Sequence, residues 1–229
     1  MLPPVCFYRQ PQNQPLIGIS ACLTGQPVRY DGGHKQQPVI TEKLARHARL
    51  WPLCPEAGAG LGTPRPPVQL VNIHQQIQVR TVSNGRDVTS TLQHYADHIA
   101  QNRPAALHGF IVKSRSPSCG LASTPIHDSQ ANIAGYGDGL FTRTLKASWT
   151  DCFFIDEQML ADETACSDLL LRCYLLQELK DTENTNNMAA LLAHYQTHWN
   201  NVLNPASWLA LLLDPQTPIL ALLQNNDPQ

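Results

Sequence analysis

The 229 residues of this chain predict an α/β protein with a mostly parallel sheet that helices cover on both faces, in a Rossmann-like arrangement. Short apolar runs alternate with segments of helical periodicity, which is the pattern of a parallel sheet with crossover helices. Hydrophobic residues make up 42% of the chain and charged residues 15%, which excludes a highly charged disordered chain. The length suits one large domain, or one domain with a small appendage.

The first elements are predicted by an apolar run, a helix cap and a proline. The run over residues 16–20 predicts a strand, and Thr41 is placed to cap a helix over residues 41–50. A second strand ends near Leu53, because a proline two residues later cannot continue a strand ladder. The same periodicities predict the later elements, in chain order: a hairpin of strands 68–73 and 77–82, a turn at 84–85, a helix over 89–101, a strand over 107–113, a glycine-rich turn and short helix over 135–149, a strand over 152–155 and a leucine-rich helix over 161–180.

Composition divides the chain into four parts. Residues 15–180 carry the predicted strands and form the main domain, behind an N-terminal segment of residues 1–14. The polar stretch DTENTNN, residues 181–187, is a linker, and residues 188–229 form a short helical appendage. This tail either packs on the main domain or mediates self-association, and the sequence leaves the oligomeric state open.

Charge and hydropathy restrict the partners and the compartment. Sixteen basic and eighteen acidic residues give a net charge of −2, so no global positive field attracts long nucleic acid. The first ten residues, MLPPVCFYRQ, lack the apolar run of a secretory signal, and no stretch is long enough to span a bilayer. We therefore expect a cytoplasmic protein without a membrane partner.

Three of the seven cysteines follow predicted strands. Cys22, Cys54 and Cys119 lie beyond the strands that end near residues 20, 53 and 113. Because the carboxyl ends of parallel strands meet at one edge of a sheet, the three thiols are expected to converge. Proline, glycine and serine near these cysteines suit a metal site, whereas buried inert thiols are an equally weighted alternative. The remaining cysteines are expected to lie in the core or, for the first, in the N-terminal segment: Cys6, Cys152, Cys166 and Cys173.

Four separated motifs occur in order along the chain. They are IGISACLTGQPVRYDGGHK from residue 17, CPEAGAGLGTPRPPVQLV from residue 54, VKSRSPSCG from residue 112 and GYGDGLFTRTL from residue 135. Together they resemble the TudS-like thiouracil desulfurases, over about residues 15–178. The resemblance implies a parallel α/β domain and an oxygen-sensitive [4Fe-4S] cluster held by three cysteines. Residue by residue, it places the cluster ligands at Cys22, Cys54 and Cys119 and the catalytic pair at Glu56 and Ser116.

The reaction implied by the resemblance is non-redox removal of sulfur from thiolated uracil, with uracil and sulfide as products. The iron without a protein ligand binds the thiocarbonyl sulfur and acts as a Lewis acid. Glu56 takes a proton from water or from the ring nitrogen, and Ser116 orients the water or the base. Glu56 also suits a structural role, as a helix cap or as the partner of Arg65.

Four further residues are candidates for binding the substrate, a small thiolated pyrimidine: Arg29, Tyr30, Ser118 and Lys113. Arg29 and Tyr30 belong to a loop that is expected to cover the pocket. Lys113 is placed to meet an oxygen or a phosphate of the substrate.

Three regions bear on how far the resemblance extends. Residues 57–60 are small where relatives carry bulkier residues, which bears on pocket shape and substrate preference. Glycines 135, 137 and 139 follow no predicted strand, so they indicate a flexible turn near the site rather than a nucleotide fingerprint. The tail resembles the beginning of a second helical domain that some members carry complete, and it is expected to be truncated.

Competing functions remain beside desulfuration of a free thiouracil or thiouridine. Removal of sulfur from 4-thiouridine in tRNA is one alternative, which the net charge of −2 and the short tail disfavour. A non-enzymatic iron-sulfur sensor is another. A zinc-binding scaffold is the least favoured, because three thiolates without an adjacent histidine do not complete a structural zinc site.

Overall fold

The computed structural model describes residues 14–181 and 212–217 of the chain. Strands and helices alternate within this part. No helix in it combines the length and the apolar character that a bilayer crossing requires. The elements in chain order are β1 (Leu16–Ser20), β2 (Arg49–Leu53), α1 (Pro55–Gly58), β3 (Val68–Ile73), β4 (Gln76–Thr81), α2 (Thr89–Gln101), β5 (Leu107–Val112), β6 (Thr124–His127), β7 (Ile133–Gly137), α3 (Leu140–Ser148), β8 (Phe153–Asp156) and α4 (Glu163–Asp181).

The first sheet contains four parallel strands in the order β2, β1, β5, β8. Successive residues of a strand point to opposite faces, so Phe153 packs with residues of α4 while Phe154 packs with residues of α2 and α3. Every residue of β5 is buried, as expected for a strand that helices cover on both faces. The predicted α/β fold with a parallel sheet is therefore confirmed.

A second, mixed sheet has the order β4, β3, β6, β7. The predicted hairpin is confirmed, since β3 and β4 pair antiparallel along their length. The turn predicted from residue 135 onward is wrong in its first part, because β7 extends to Gly137 and pairs antiparallel with β6. Ile133 and Tyr136 of β7 are exposed, so this strand has no buried face. Its sequence therefore lacks the alternation of apolar and polar residues that predicts a strand.

The single helix predicted over residues 41–50 is also wrong. Val39–Lys43 form one π-helical turn and Leu44–Arg46 form a 3-10 turn, after which the chain enters β2. Leu44 fills the core from its short turn, whereas Leu50 contributes to the same core from β2. The two leucines that predicted one helix face therefore belong to different elements.

The described C-terminal segment, residues 212–217, is held against α4 by the buried Arg172. The guanidinium donates to the carbonyls of Leu212 at 2.7 Å, Asp214 at 2.8 Å and Thr217 at 2.6 Å. Leu212 is buried in the same hydrophobic core as α4. This segment thus packs on the main domain, and the rest of the predicted linker and tail, residues 182–211 and 218–229, lies outside the described residues.

Replacing Arg172 with methionine is expected to lower the free energy of unfolding by about 2–4 kcal/mol, because three carbonyls lose a charged donor. Urea unfolding followed by circular dichroism measures the change. Arg86→Met, at an exposed position, is the control and is expected to stay within about 0.5 kcal/mol. If Arg172→Met is as stable as the unaltered protein, the contact with residues 212–217 contributes nothing to folding.

Candidate active site

A cavity of about 330 Å³ lies at the carboxyl edge of the parallel sheet, between the loops that follow β1, β2 and β5. Its size falls within the range of small-ligand pockets. It brings together all but one of the residues predicted for the site: Cys22, Cys54, Cys119, Glu56, Ser116, Arg29, Tyr30 and Lys113. Among the predicted residues, only Ser118 does not line it.

Each of the three cysteines reaches the cavity from a different strand end. Cys22 lies in the 3-10 turn Ala21–Thr24, which begins directly after β1. Cys54 is the residue between β2 and α1, and Cys119 lies in the loop that follows β5. Since β2, β1 and β5 are neighbours in the sheet, residues far apart in sequence meet at one edge.

The environment of the three sulfurs favours neutral thiols in the absence of metal. Burial, and next to it the neighbouring Cys54, raises the pKa of the Cys22 thiol to about 11. Burial also raises the pKa of Cys54, and it lifts the pKa of Cys119 well above its usual value. A metal ligand must be a thiolate, so metal binding at this site has to release protons.

The three thiols that line the cavity are not engaged with one another. None of the three forms a disulfide. Within the described ranges, no three His, Cys, Asp or Glu side chains are grouped as they would be around one metal ion. The described lining contains three cysteines, and thiolates are the ligands that iron-sulfur clusters and soft metal ions take.

The loop that carries Cys119 rests on the beginning of α3. The amides of residues 139–141 donate to three carbonyls of residues 117–120 over 2.8–3.1 Å, and the Thr142 hydroxyl donates to the Cys119 carbonyl at 2.6 Å. A side chain at Gly139 would lie 2.5 Å from a carbonyl group of that loop, so glycine permits the close approach. The helix amides therefore bind protein carbonyls, which gives the glycine-rich motif a structural role in placing Cys119.

Glu56 is buried beside the cavity, and both of its carboxylate oxygens accept hydrogen bonds. Arg65 Nε donates to Oε2 and the Ser118 hydroxyl donates to Oε1, each at 2.8 Å. Pro55 starts α1 and places Glu56 in the first helical turn, two residues after Cys54. The ion pair with Arg65 that the sequence allowed is present, and Glu56 lines the cavity as well.

Ser116 and Ser118 have different places in their loop. Ser116 Oγ accepts from the amides of Ser118 at 3.3 Å and Cys119 at 3.1 Å, and the residue lines the cavity. Ser118 is almost completely buried, and its hydroxyl donates to Glu56. The hydroxyl in contact with Glu56 is therefore that of Ser118, predicted to bind the substrate, and not that of Ser116, predicted as the catalytic partner of Glu56.

Lys113 is held by Glu157, a buried acid that the sequence analysis missed. The Lys113 ammonium pairs with Glu157, which also accepts from the amide of Ser114 at 2.6 Å and from its hydroxyl at 2.8 Å. Burial raises the pKa of Glu157, but the hydrogen bonds from Lys113 and Ser114 outweigh it and hold that pKa below its usual value. Its position in the sequence could have predicted its place at the site, because Glu157 directly follows β8 at the same edge of the sheet.

Arg29 and Tyr30 belong to a compact loop at the more exposed side of the cavity. Tyr30 is 41% exposed, and the Arg29 guanidinium lies 5.2 Å from the centre of its ring. Arg29 Nε is 3.4 Å from a carboxylate oxygen of Asp31. The amide of Arg29 donates to the Gly33 carbonyl at 3.2 Å, which closes the loop on itself.

The small residues 57–60 do not line the cavity. Instead, Gly58 faces Tyr95 of α2 so closely that a side chain at this position would collide with the phenol ring. Gly58 therefore lets α1 approach α2, whereas a Cβ at Gly60 would meet nothing within 4 Å.

The fold and the cavity define an α/β protein with a cysteine-lined site at the carboxyl edge of a parallel sheet. The model of the 2-thiouracil desulfurase family matches residues 17–157, and the chain belongs to this family. This membership confirms the resemblance drawn from the four motifs and indicates a thiouracil desulfurase.

Two relatives accompany the family match. A solved structure described as a [4Fe-4S]-dependent thiouracil desulfidase, TudS, is 32% identical, with a TM-score of 0.50 over 65% of this chain and 94% of the other. The uncharacterized protein YbbK of Bacillus subtilis (strain 168) is 31% identical over 112 residues, which are 46% of this chain and 73% of that protein.

Proposed function

We propose that this chain hydrolyses a thiolated uracil, as the free base or the nucleoside, to uracil or uridine and sulfide. A [4Fe-4S] cluster held by Cys22, Cys54 and Cys119 is its cofactor. The observation that carries the proposal is that these three thiols, from three neighbouring strands, line one cavity together with the carboxylate of Glu56. When bound, such a cluster supplies an iron without a protein ligand, a Lewis acid that suits a soft thiocarbonyl sulfur.

Glu56 is the proton acceptor of the proposed reaction. A carboxylate has about four lone-pair sites, and Arg65 and Ser118 occupy two of them. Glu56 therefore keeps capacity to take a proton from water or from the ring nitrogen while its orientation is fixed. The overall change replaces C=S by C=O with oxygen from water, and sulfur leaves as hydrosulfide, so no electron is gained or lost.

Ser116 orients the water or the substrate in this proposal. Its oxygen accepts two backbone amides, which fixes its place at the cavity. A hydroxyl that accepts two hydrogen bonds still has its own hydrogen to donate. Ser116 is thus suited to donate to the attacking water or to an oxygen of the pyrimidine.

Lys113, Arg29 and Tyr30 hold the substrate in this proposal. Lys113 lines the cavity, but Glu157 and the carbonyl and hydroxyl of Ser114 occupy the three donors of its ammonium, so it contributes positive charge to the pocket and no hydrogen bond to the pyrimidine. Tyr30 offers an exposed aromatic ring, and Arg29 stacks on it. The cavity of about 330 Å³ has to hold the proposed cluster as well as the substrate, so the part of the substrate that enters it is about one pyrimidine ring.

The test is anaerobic purification with iron and sulfide counts, followed by incubation with 2-thiouracil and with 4-thiouracil in ¹⁸O-labelled water. We expect sulfide release without an external reductant or ATP, and label at the desulfurated carbon. Mass spectrometry of the pyrimidine and a colorimetric sulfide assay measure both outcomes.

Two results would contradict the proposal in different ways. Cluster binding without any sulfide release would favour a sensor. Strict dependence on an electron donor, with an unlabelled product, would show a reductive reaction even if all three cysteines were ligands.

A further inference from the structure

Arg65 contacts three parts of the site at once. The sequence predicted only one role for it, an ion pair with Glu56. Its Nε donates to Glu56 at 2.8 Å. Its Nη2 donates to the Val28 carbonyl at 3.0 Å and lies 3.9 Å from the sulfur of Cys54. One side chain thus joins the proposed proton acceptor, a proposed cluster ligand and the start of the loop that carries Arg29 and Tyr30.

The guanidinium is rigidly held in this position. Its side chain is only 4% exposed. Nη1 donates to the Gly62 carbonyl at 2.8 Å and to the Thr63 hydroxyl at 3.3 Å, within the same loop as Arg65. The backbone amide of Arg65 also donates to the Tyr30 carbonyl at 2.9 Å, a second contact with the loop that carries Arg29 and Tyr30.

We propose that Arg65 is a positioning residue that couples the substrate loop, residues 28–33, to the carboxylate of Glu56. An ion pair with Glu56 alone requires only a positive charge, which lysine also supplies. Contacts in several directions from one buried group require the planar fork of arginine, with its five donors in fixed geometry. The proposal rests on the proposed function, because the coupling matters only if Glu56 acts on a substrate bound near that loop.

The decisive variant is Arg65→Lys, because it keeps the charge and removes the fork. Groups that hydrogen-bond around a metal site typically contribute about 10–100-fold to activity or metal affinity, and we expect kcat/KM for thiouracil to fall by about that factor. Both kcat and KM are expected to change. KM rises because the loop is released, and kcat falls because the carboxylate of Glu56 is misplaced. Arg80→Lys is the matched control, since Arg80 also donates to a side chain and a carbonyl but lies in the second sheet.

A second measurement reports on the loop without using activity. Hydrogen exchange of the full chain, before and after cluster reconstitution, is followed by mass spectrometry at residues 28–33 and in α2. In Arg65→Lys we expect faster exchange in the loop and unchanged exchange in α2. Arg80→Lys is expected to change neither segment.

The two measurements together decide the proposal. Faster loop exchange with a lower kcat/KM supports it. Unchanged kcat/KM overturns it, because Arg65 would then be only structural, and lower kcat/KM with unchanged loop exchange overturns the coupling. If the unaltered protein released no sulfide, the proposed function would fail. The exchange measurement is independent of that result, because unchanged loop exchange in Arg65→Lys would by itself reject the role of Arg65 in fixing the loop.

Discussion

Cys119→Ala is expected to hold no iron-sulfur cluster and to release no sulfide from thiouracil. The substitution removes one of three proposed ligands, so a second iron of the cluster would lack a protein ligand. The loop of Cys119 is fixed by the amides of residues 139–141, which prevents another side chain of that loop from moving in. Iron and sulfide counts after anaerobic reconstitution, together with the brown absorbance, measure the loss.

Cysteines outside the cavity provide the matched controls for this prediction. Cys152 and Cys166 are buried in the two hydrophobic cores and do not line the cavity. Cys152→Ala and Cys166→Ala are therefore expected to keep iron, colour and turnover. A full cluster in Cys119→Ala would show that the ligand set is misassigned.

The strands of the parallel sheet were predictable as short apolar runs, α2 by the helical period of its buried residues, and α4 as a long leucine-rich segment. Leu92 and Ala96 of α2, for example, lie on one face and are fully buried. Strand β6 escaped prediction because it has only four residues and contains Pro125. Its partner β7 is rich in glycine and mostly exposed, so neither strand carries a periodic signal.

The meeting of the cysteines was predictable, whereas the contacts of Glu56 and Lys113 were only partly so. Convergence follows from topology, because adjacent parallel strands end at one edge whatever their loops contain. The choice of Ser118 over Ser116 as the partner of Glu56 depends on how an irregular loop turns, and such a loop has no period. Glu157 lies far from Lys113 in sequence, and only the pairing of β5 with β8 brings it near.

Glu56→Gln is expected to keep the iron content and to lower kcat by about 10²–10⁴-fold, the usual contribution of a general base. Glutamine has nearly the same shape and preserves both hydrogen bonds of the native side chain. Its carbonyl oxygen accepts from Arg65, and its amide donates to the Ser118 hydroxyl, which accepts once it no longer donates. The variant loses the negative charge of the carboxylate, and with it both the ability to take a proton and the ion pair with the buried Arg65. Iron content is therefore measured beside kcat, to separate a catalytic defect from a structural one.

Glu157→Gln separates this effect from the general cost of replacing a buried acid. Glu157 is buried at the same sheet edge and meets the cavity only through Lys113, so its loss is expected to raise KM through the released Lys113 and to reduce kcat far less. Steady-state sulfide release under anaerobic conditions gives both values, and iron counts normalise them. Native turnover in Glu56→Gln would show that another group accepts the proton. Loss of iron would show that Glu56 is a structural residue of the cluster loop, because its carboxylate would then be needed to hold Arg65 beside Cys54.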